Sequence, residues 1–359
     1  MRIASLEAIP YALPFREPYV TATGTLTQRE MVLLRLRSDD GLEGLGEAVP
    51  LSLRGGAGLA QVVAELEALG ERDALDEALL RDGATKLSPP ARCAALTALL
   101  DLRGRCAARE RSSFVDSSPT NSERLEPIRC NATLVAGEPG AVVSDAERWA
   151  ADGFSTFKLK LGAGDDVAHV RAVREALGPR ARIRIDANAA WNLETAKRTL
   201  AELEPFEIEL AEQPVATPEE AAELCASTSI PLAADESVAS RADAERVAAG
   251  GGFAMTGVKL AKVGGPEEAL EIAEVLPAYV TSALDGPVGI AVAAQVAQSL
   301  GDLGRGGGES LAHGLATQRL FASTIAATEC EMRGDMLHLP DGPGLGVEID
   351  EEALQAHLL

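Results

Sequence analysis

Cysteine is scarce and unpaired in this chain of 359 residues. Its five cysteines (Cys93, Cys106, Cys130, Cys225 and Cys330) are scattered and form no Cys-x-x-Cys pair, so neither a disulfide framework nor a zinc site is expected. A reducing cytoplasm is the simple location. Basic charge is also short, with 33 lysines and arginines against 55 aspartates and glutamates, a net charge of −22 and an isoelectric point near 4.6. That balance argues against a nucleic-acid partner, because phosphate backbones are bound through basic patches. No apolar run reaches the roughly 18 residues that a spanning helix needs. Residues 1–9 alternate like a strand, with no basic segment leading an apolar one, so neither export by that route nor membrane embedding is expected. No Gly-x-Gly-x-x-Gly turn opens the alternating region described below, which counts against a dinucleotide fold.

What is present is enough apolar material, 46% of residues, for two domains with a core. The first 112 residues read as strands followed by helices. Strand-like segments run from Ile3 to Ala12, Met31 to Arg37 and Gly44 to Ala48, with an Asp39-Asp40-Gly41 turn between the last two. Alanine- and leucine-rich helical patterns follow from Leu59 to Arg109, interrupted at Pro89-Pro90. This is the signature of an α+β domain. Residues 113–127 are polar and read as a linker. From Ile128 to about residue 325, roughly eight strands alternate with helices, which favours a closed α/β barrel over an open sheet. Residues 326–359 form a C-terminal segment.

Within the alternating region five segments recur, and each carries a charged residue at or near its end: Phe157-Lys158-Leu159-Lys160, Ile183 to Asn188, Ile208 to Pro214, Pro231 to Ser237 and Gly257-Val258-Lys259-Leu260. The steps from Lys160 to Asp186, Glu212, Asp235 and Lys259 are 26, 26, 23 and 24 residues. Each step fits one strand, one crossover helix and two turns, so successive parallel strands bring these groups to one edge of the sheet. Three carboxylates from separate strands, Asp186, Glu212 and Asp235, with no His or Cys among them, suit a hard cation that keeps open positions; magnesium is favoured, with manganese a substitute. Lys158 and Lys160 are two apart on one strand and share a face, while Lys259 stands across the barrel mouth. Repulsion among them and a nearby cation lower the ammonium pKa values, so that at least one lysine can act as a base. The combination is a device for removing a proton α to a carboxylate and stabilising the enediolate that results. Asn188 and Glu236 adjoin the ligands and are expected to orient them. A cationic pocket in so acidic a protein implies a small-molecule carboxylate substrate. The number of copies in the assembly is left open, a homo-oligomer included.

Taken together, Lys158-x-Lys160, Asp186-x-Asn188, Glu212-Gln213-Pro214, Asp235-Glu236-Ser237 and Lys259 resemble the enolase superfamily, in its muconate-lactonizing-enzyme subgroup. The resemblance covers essentially the whole chain, including Gly44-Leu45-Gly46-Glu47-Ala48 and Gly342-Pro343-Gly344-Leu345-Gly346. It implies a (β/α)7β TIM-like barrel under an N-terminal α+β capping domain, with the C-terminal segment returning to the cap. The segments from Tyr279 to Ile290 and from His313 to Thr317 look like the seventh and eighth strand regions of the o-succinylbenzoate synthases. That likeness implies a hydro-lyase reaction of menaquinone synthesis: loss of water from a cyclohexadiene carboxylate bearing a succinyl arm. Lys160 would remove the α-proton and return it to the departing hydroxyl, Lys259 would stabilise the enediolate from the other side, and Lys158 would tune Lys160. Ser282, Ala283, Leu284 and Asp285 are the implied substrate contacts.

Arg54, in a Pro50 to Gly56 loop unlike that of the shorter synthases, is a candidate carboxylate clamp. An N-acylamino acid racemase needs the same opposed lysines and is an alternative, as is muconate cycloisomerase. A dipeptide epimerase is disfavoured because Ser310 to Thr317 holds no Asp-x-Asp pair, and a mandelate-racemase-like mechanism because position 259 is Lys rather than His. His313 is read as structural or pocket-lining. A non-catalytic binding barrel would have lost at least one of the six charged positions, and all six are intact.

Overall fold

The computed structural model describes residues 1–21, 24–52, 55–71, 75–113, 126–135, 137–162, 164–303 and 311–359. Arg54 and most of the expected linker (114–125) lie outside the described residues.

Strands β1 (Ile3–Thr21), β2 (Gly24–Ser38) and β3 (Glu43–Ala48) form an antiparallel sheet in that order. The run from Met31 to Leu36 is apolar but for Arg35, and buried throughout because the sheet is covered on both faces. Period-two alternation sorts it: Met31 and Leu33 join the large core that fills the parallel-strand region, whereas Val32, Leu34 and Leu36 meet the helices behind. Those helices are α1 (Leu59–Gly70), α2 (Glu77–Ala84) and α3 (Pro89–Ser113). Pro89-Pro90 opens α3, where a missing N–H leaves no hydrogen bond unmade.

Helix α3 lies unusually close to β3. A Cβ added at Gly46 would sit 2.0 Å from the Ala94 carbonyl oxygen, and one at Gly44 would sit 2.3 Å from that of Ala98. Both obstacles are backbone and cannot rotate away. Gly46→Ala is therefore expected to destabilise the fold by about 1–3 kcal/mol or more, read as a lower denaturation midpoint at unchanged slope.

After β4 (Ile128–Arg129), the second region runs β5 (Ala132–Leu134), α4 (Pro139–Ala151), β6 (Thr156–Lys160), α5 (Asp166–Leu177), β7 (Arg182–Asp186), α6 (Leu193–Leu203) and β8 (Ile208–Glu212). It continues through α7 (Pro218–Cys225), β9 (Leu232–Ala234), α8 (Arg241–Gly250), β10 (Met255–Val258), α9 (Leu260–Val263), α10 (Pro266–Val275), β11 (Ala278–Val280) and α11 (Pro287–Leu303). The seven strands β5 to β11 are parallel neighbours in chain order. Their helices start where the sequence caps them: Asp165, Asn192, Thr217 and Ser240 each accept a backbone N–H of the first turn.

Three strand regions depart from the regular alternation. The Ile128 to Leu134 segment is split at Cys130-Asn131, because β4 pairs with a C-terminal strand while β5 joins the parallel sheet. The seventh parallel strand ends at Val280, and Asp285 folds the following residues into a loop. The eighth strand is reduced to single parallel bridges, Cys130 with His313 and Thr281 with Gly314, so both edges of the sheet meet the same residue pair.

The tail comprises β12 (Ala326–Thr328), β13 (Glu331–Arg333), β14 (Met336–His338), β15 (Glu348–Ile349) and α12 (Glu351–Ala356). It ends against β1, where the Ala12 N–H donates to the His357 carbonyl at 2.9 Å, and Arg35 of β2 pairs with Glu351. Among the described residues no helix is long and apolar enough to cross a membrane.

Candidate active site

The ladder itself assembles the charged stations. Lys160 of β6 pairs with Asp186 of β7, and Asp186 with Glu212 of β8, so the three stand side by side at the C-terminal edge. Glu212 pairs with Ala233 of β9, which puts Asp235 one pleat beyond it. Lys259 follows the last residue of β10 and caps α9. In the order β6-β7-β8-β9-β10, the two lysines Lys160 and Lys259 therefore flank the three carboxylates.

The side chains form a dense ionic network in a nearly dry setting, with Asp186, Glu212 and Asp235 at most 1% exposed. Lys158 donates to Glu212 Oε2 at 2.6 Å and lies 2.9 Å from Asp186 Oδ2. Lys160 donates to Asp186 Oδ2 at 2.6 Å and to Asn188 Oδ1 at 3.2 Å. Lys259 pairs with Asp235 Oδ2, and Lys262 reaches the other oxygen of that carboxylate at 2.8 Å. Lys262 was not singled out from sequence; its signal is the i, i+3 spacing from Lys259 at a helix start.

Burial pulls the Lys160 ammonium below its ordinary pKa; Asp186 opposes this, and the like charges of Lys158 and Lys259 add to it. Burial acts the same way on Lys158, but Asp186 and Glu212 outweigh it and hold that group above the ordinary value. Lys160 and Lys158 thus shift in opposite directions. Asp186 is itself held well below the carboxylate range, because Lys158 and Lys160 overcome the effect of burial.

Backbone just past the strand ends is left-handed at Asn188 (φ 48°), Ala189 (φ 60°) and Gln213 (φ 37°). This conformation costs about 1–3 kcal/mol per non-glycine residue unless the surroundings hold it, and here they do. The Asn188 N–H donates to Asp186 Oδ1 at 3.0 Å, and its side chain spans Lys160 and Glu236. Gln213 Oε1 accepts from the N–H groups of Asp235 and Ser237 at 2.9 and 3.1 Å, tying the ends of β8 and β9 together. Beneath the carboxylates, Tyr279 donates to Glu212 Oε2 at 2.6 Å, and the Arg184 guanidinium lies 5.3 Å from its ring. His313 is buried, accepts from the Val280 N–H at 3.0 Å, and is pushed down to about 4 by burial and by Arg184.

The donor chemistry fits a hard divalent cation, and Glu212 Oε1 is buried without a hydrogen-bond partner. As the side chains stand, no three His, Cys, Asp or Glu groups among the described residues form a ready cation site. The ammonium groups of Lys158, Lys160 and Lys259 instead neutralise these carboxylates.

The loop after β11 presents half-buried Ser282, Ala283 and Leu284. Asp285, a candidate substrate contact, is buried, and its Oδ2 accepts from Ser282 Oγ at 2.6 Å and from the Ala283 N–H at 2.7 Å. It shapes the loop. Close by, Glu47 accepts from Tyr11 Oη at 2.9 Å and from the Gly286 N–H at 2.6 Å, and burial, with the Asp285 charge second, raises its pKa to about 8. The unfolded chain, with Glu47 near 4.5, binds fewer protons than the folded chain between about pH 4.5 and 8. Glu47 therefore makes stability fall as pH rises through that window. Denaturant melts of Glu47→Gln from pH 5 to pH 9 should show that contribution removed.

Residues 5–110 match the family described as mandelate racemase / muconate lactonizing enzyme, N-terminal domain, and residues 141–353 the family described as enolase C-terminal domain-like. An o-succinylbenzoate synthase of Thermobifida fusca is 39% identical over 207 residues, covering 55% of this chain and 63% of that protein. Muconate cycloisomerase 1 of Pseudomonas putida is 30% identical over 379 aligned positions, covering 98% of this chain and 97% of its own length. The crystal structure of a muconate lactonizing enzyme from Pseudomonas fluorescens, complexed with muconolactone, superposes with a TM-score of 0.85 at 28% identity, covering 99% of each chain.

Proposed function

Since this chain belongs to the mandelate racemase / muconate lactonizing enzyme family of the enolase superfamily, we propose that it removes the proton α to a carboxylate, and that the overall reaction is loss of water to give o-succinylbenzoate. The observation that carries the reading is the strand order. Lys160 and Lys259 lie on opposite sides of Asp186, Glu212 and Asp235, so a carboxylate held over the three would have one lysine on each face.

Lys160 is the base: it stands on one side of the three carboxylates, its side chain is partly accessible, and burial pulls its ammonium pKa down. It takes the α-proton and gives it to the departing hydroxyl, so the C–H and C–O bonds break and water leaves. Lys259, on the far face, offsets the negative charge that builds on the carboxylate oxygens. Lys158 stays charged and holds Asp186 and Glu212 in place. Asp186, Glu212 and Asp235 would hold magnesium, or manganese in its place, which supplies positive charge for the substrate carboxylate. Asn188 and Glu236 orient this set. The reading includes a (β/α)7β barrel closed at residues 313–314, over 128–325, with residues 1–112 as cap.

A second reading is muconate cycloisomerase, favoured by a match that runs end to end where the synthase match covers 55% of the chain. It uses the same lysines on a different carboxylate. Ultraviolet absorbance with magnesium separates the two. Aromatisation of the succinyl cyclohexadiene carboxylate supports the synthase, and turnover of muconolactone without aromatisation supports the cycloisomerase. Racemisation of N-succinyl amino acids alone, followed by polarimetry, supports the acylamino acid racemase.

A further inference from the structure

Two glycine-bearing motifs, Gly44 to Ala48 on β3 and Asp285 to Gly289 at the start of α11, are 239 residues apart at their closest hydrogen bond and meet as one clasp. Glu47 Oε1 accepts from the Gly286 N–H at 2.6 Å, and its Oε2 accepts from Tyr11 at 2.9 Å. The glycines are what admit it. A Cβ at Gly286 would sit 2.5 Å from Tyr11 Oη and 2.7 Å from Glu47 Oε2, and one at Gly289 would sit 2.6 Å from Glu47 Oε1.

Arg29 of β2 closes the other side. One nitrogen of its buried guanidinium donates to the Pro50 carbonyl at 2.8 Å and to the Ala283 carbonyl at 3.1 Å. It therefore links the cap segment leaving β3 directly to the loop after β11. That loop is pinned at its start as well, where the Ser282 N–H donates to the Gly314 carbonyl at 3.0 Å. Between the pins, Leu284 is held left-handed at φ 67°, a conformation that a leucine keeps only when its surroundings over-determine it.

We propose that Arg29 and Glu47 are specificity-positioning residues, locking the 282–286 loop and the cap segment at Pro50 into one rim that shapes the pocket around the part of the carboxylate substrate remote from its α-carbon. This rests on the proposed function for its substrate. Neither residue adjoins the lysines or the three carboxylates, so the clasp governs fit rather than proton transfer. A guanidinium shared between two carbonyls is an arrangement that methionine cannot reproduce, and a carboxyl group accepting at both of its oxygens is one that an amide, with a single acceptor oxygen, cannot.

The test compares wild type, Glu47→Gln, Arg29→Met and the conservative Arg29→Lys in two ways. Hydrogen–deuterium exchange of the peptide spanning 282–286 should quicken by about tenfold or more in Glu47→Gln and Arg29→Met, with the β6 to β9 peptides unchanged. For aromatisation of the succinyl cyclohexadiene carboxylate, KM should rise about tenfold with kcat within about twofold, and Arg29→Lys should recover part of the loss. Unchanged loop exchange would overturn the proposal, and so would kcat falling in step with the folded fraction at constant KM. The first readout needs no turnover, so a wild-type protein that does not aromatise this substrate strikes the proposed function while loop exchange still decides the clasp.

Discussion

Replacing Lys160 by alanine is expected to lower turnover by about 10²–10⁴-fold, the usual contribution of a positioned general base, while leaving the fold intact. The fold should persist because Asp186 keeps Lys158 at 2.9 Å, so no buried carboxylate is stripped of its counter-charge. Lys160→Arg should fall as far, since it keeps the charge but cannot give up its proton near neutral pH. Initial rates with circular dichroism as the folding control decide it. A loss of less than about tenfold would move the base to another group, with Lys259 the first to examine.

Glu212→Gln should be the most damaging change to the ionic network. Lys158 is buried, and its charge is maintained by Asp186 and Glu212 together. Breaking one such buried pair costs about 3–5 kcal/mol, because the remaining charge is left under-compensated. Tyr279 can still donate to the amide oxygen, so the loss reports mainly on Lys158. The same change removes the one ligand whose second oxygen is buried without a partner, and divalent-cation binding should weaken by at least about 10–100-fold. Denaturant unfolding and magnesium titration calorimetry measure the two effects separately. Wild-type stability together with wild-type cation affinity would remove Glu212 from the ligand set.

Much of the site was legible because parallel strands repeat. A step near 25 residues, with the inward face fixed by alternation, places Lys160, Asp186, Glu212 and Asp235 at one edge without any knowledge of distant contacts. The polarity of the lysines was less legible. Whether Lys158 is raised or lowered depends on which carboxylates it touches, and Asp186 and Glu212 reach it from two other strands. The clasp of Glu47 on Gly286 was invisible for the same reason, since neither residue signals the other. Tyr279 and Arg184 look like ordinary strand residues, yet the barrel interior turns them into a polar layer under Glu212. Strand ends are not legible where a side chain competes with the ladder or the pairing partner changes. Asp285 draws Ser282 and Ala283 into a loop, and Cys130-Asn131 switches from one pairing partner to another.

The most direct test is isotope exchange in deuterated water, with magnesium, on the succinyl cyclohexadiene carboxylate, N-succinyl amino acids and muconolactone, followed by proton nuclear magnetic resonance. Wild-type protein should wash the α-proton out of at least one of these carboxylates, and Lys160→Ala should leave that proton in place. Retention of every α-proton by the folded, magnesium-supplied wild type, or equal washout by the Lys160→Ala variant, would contradict the account.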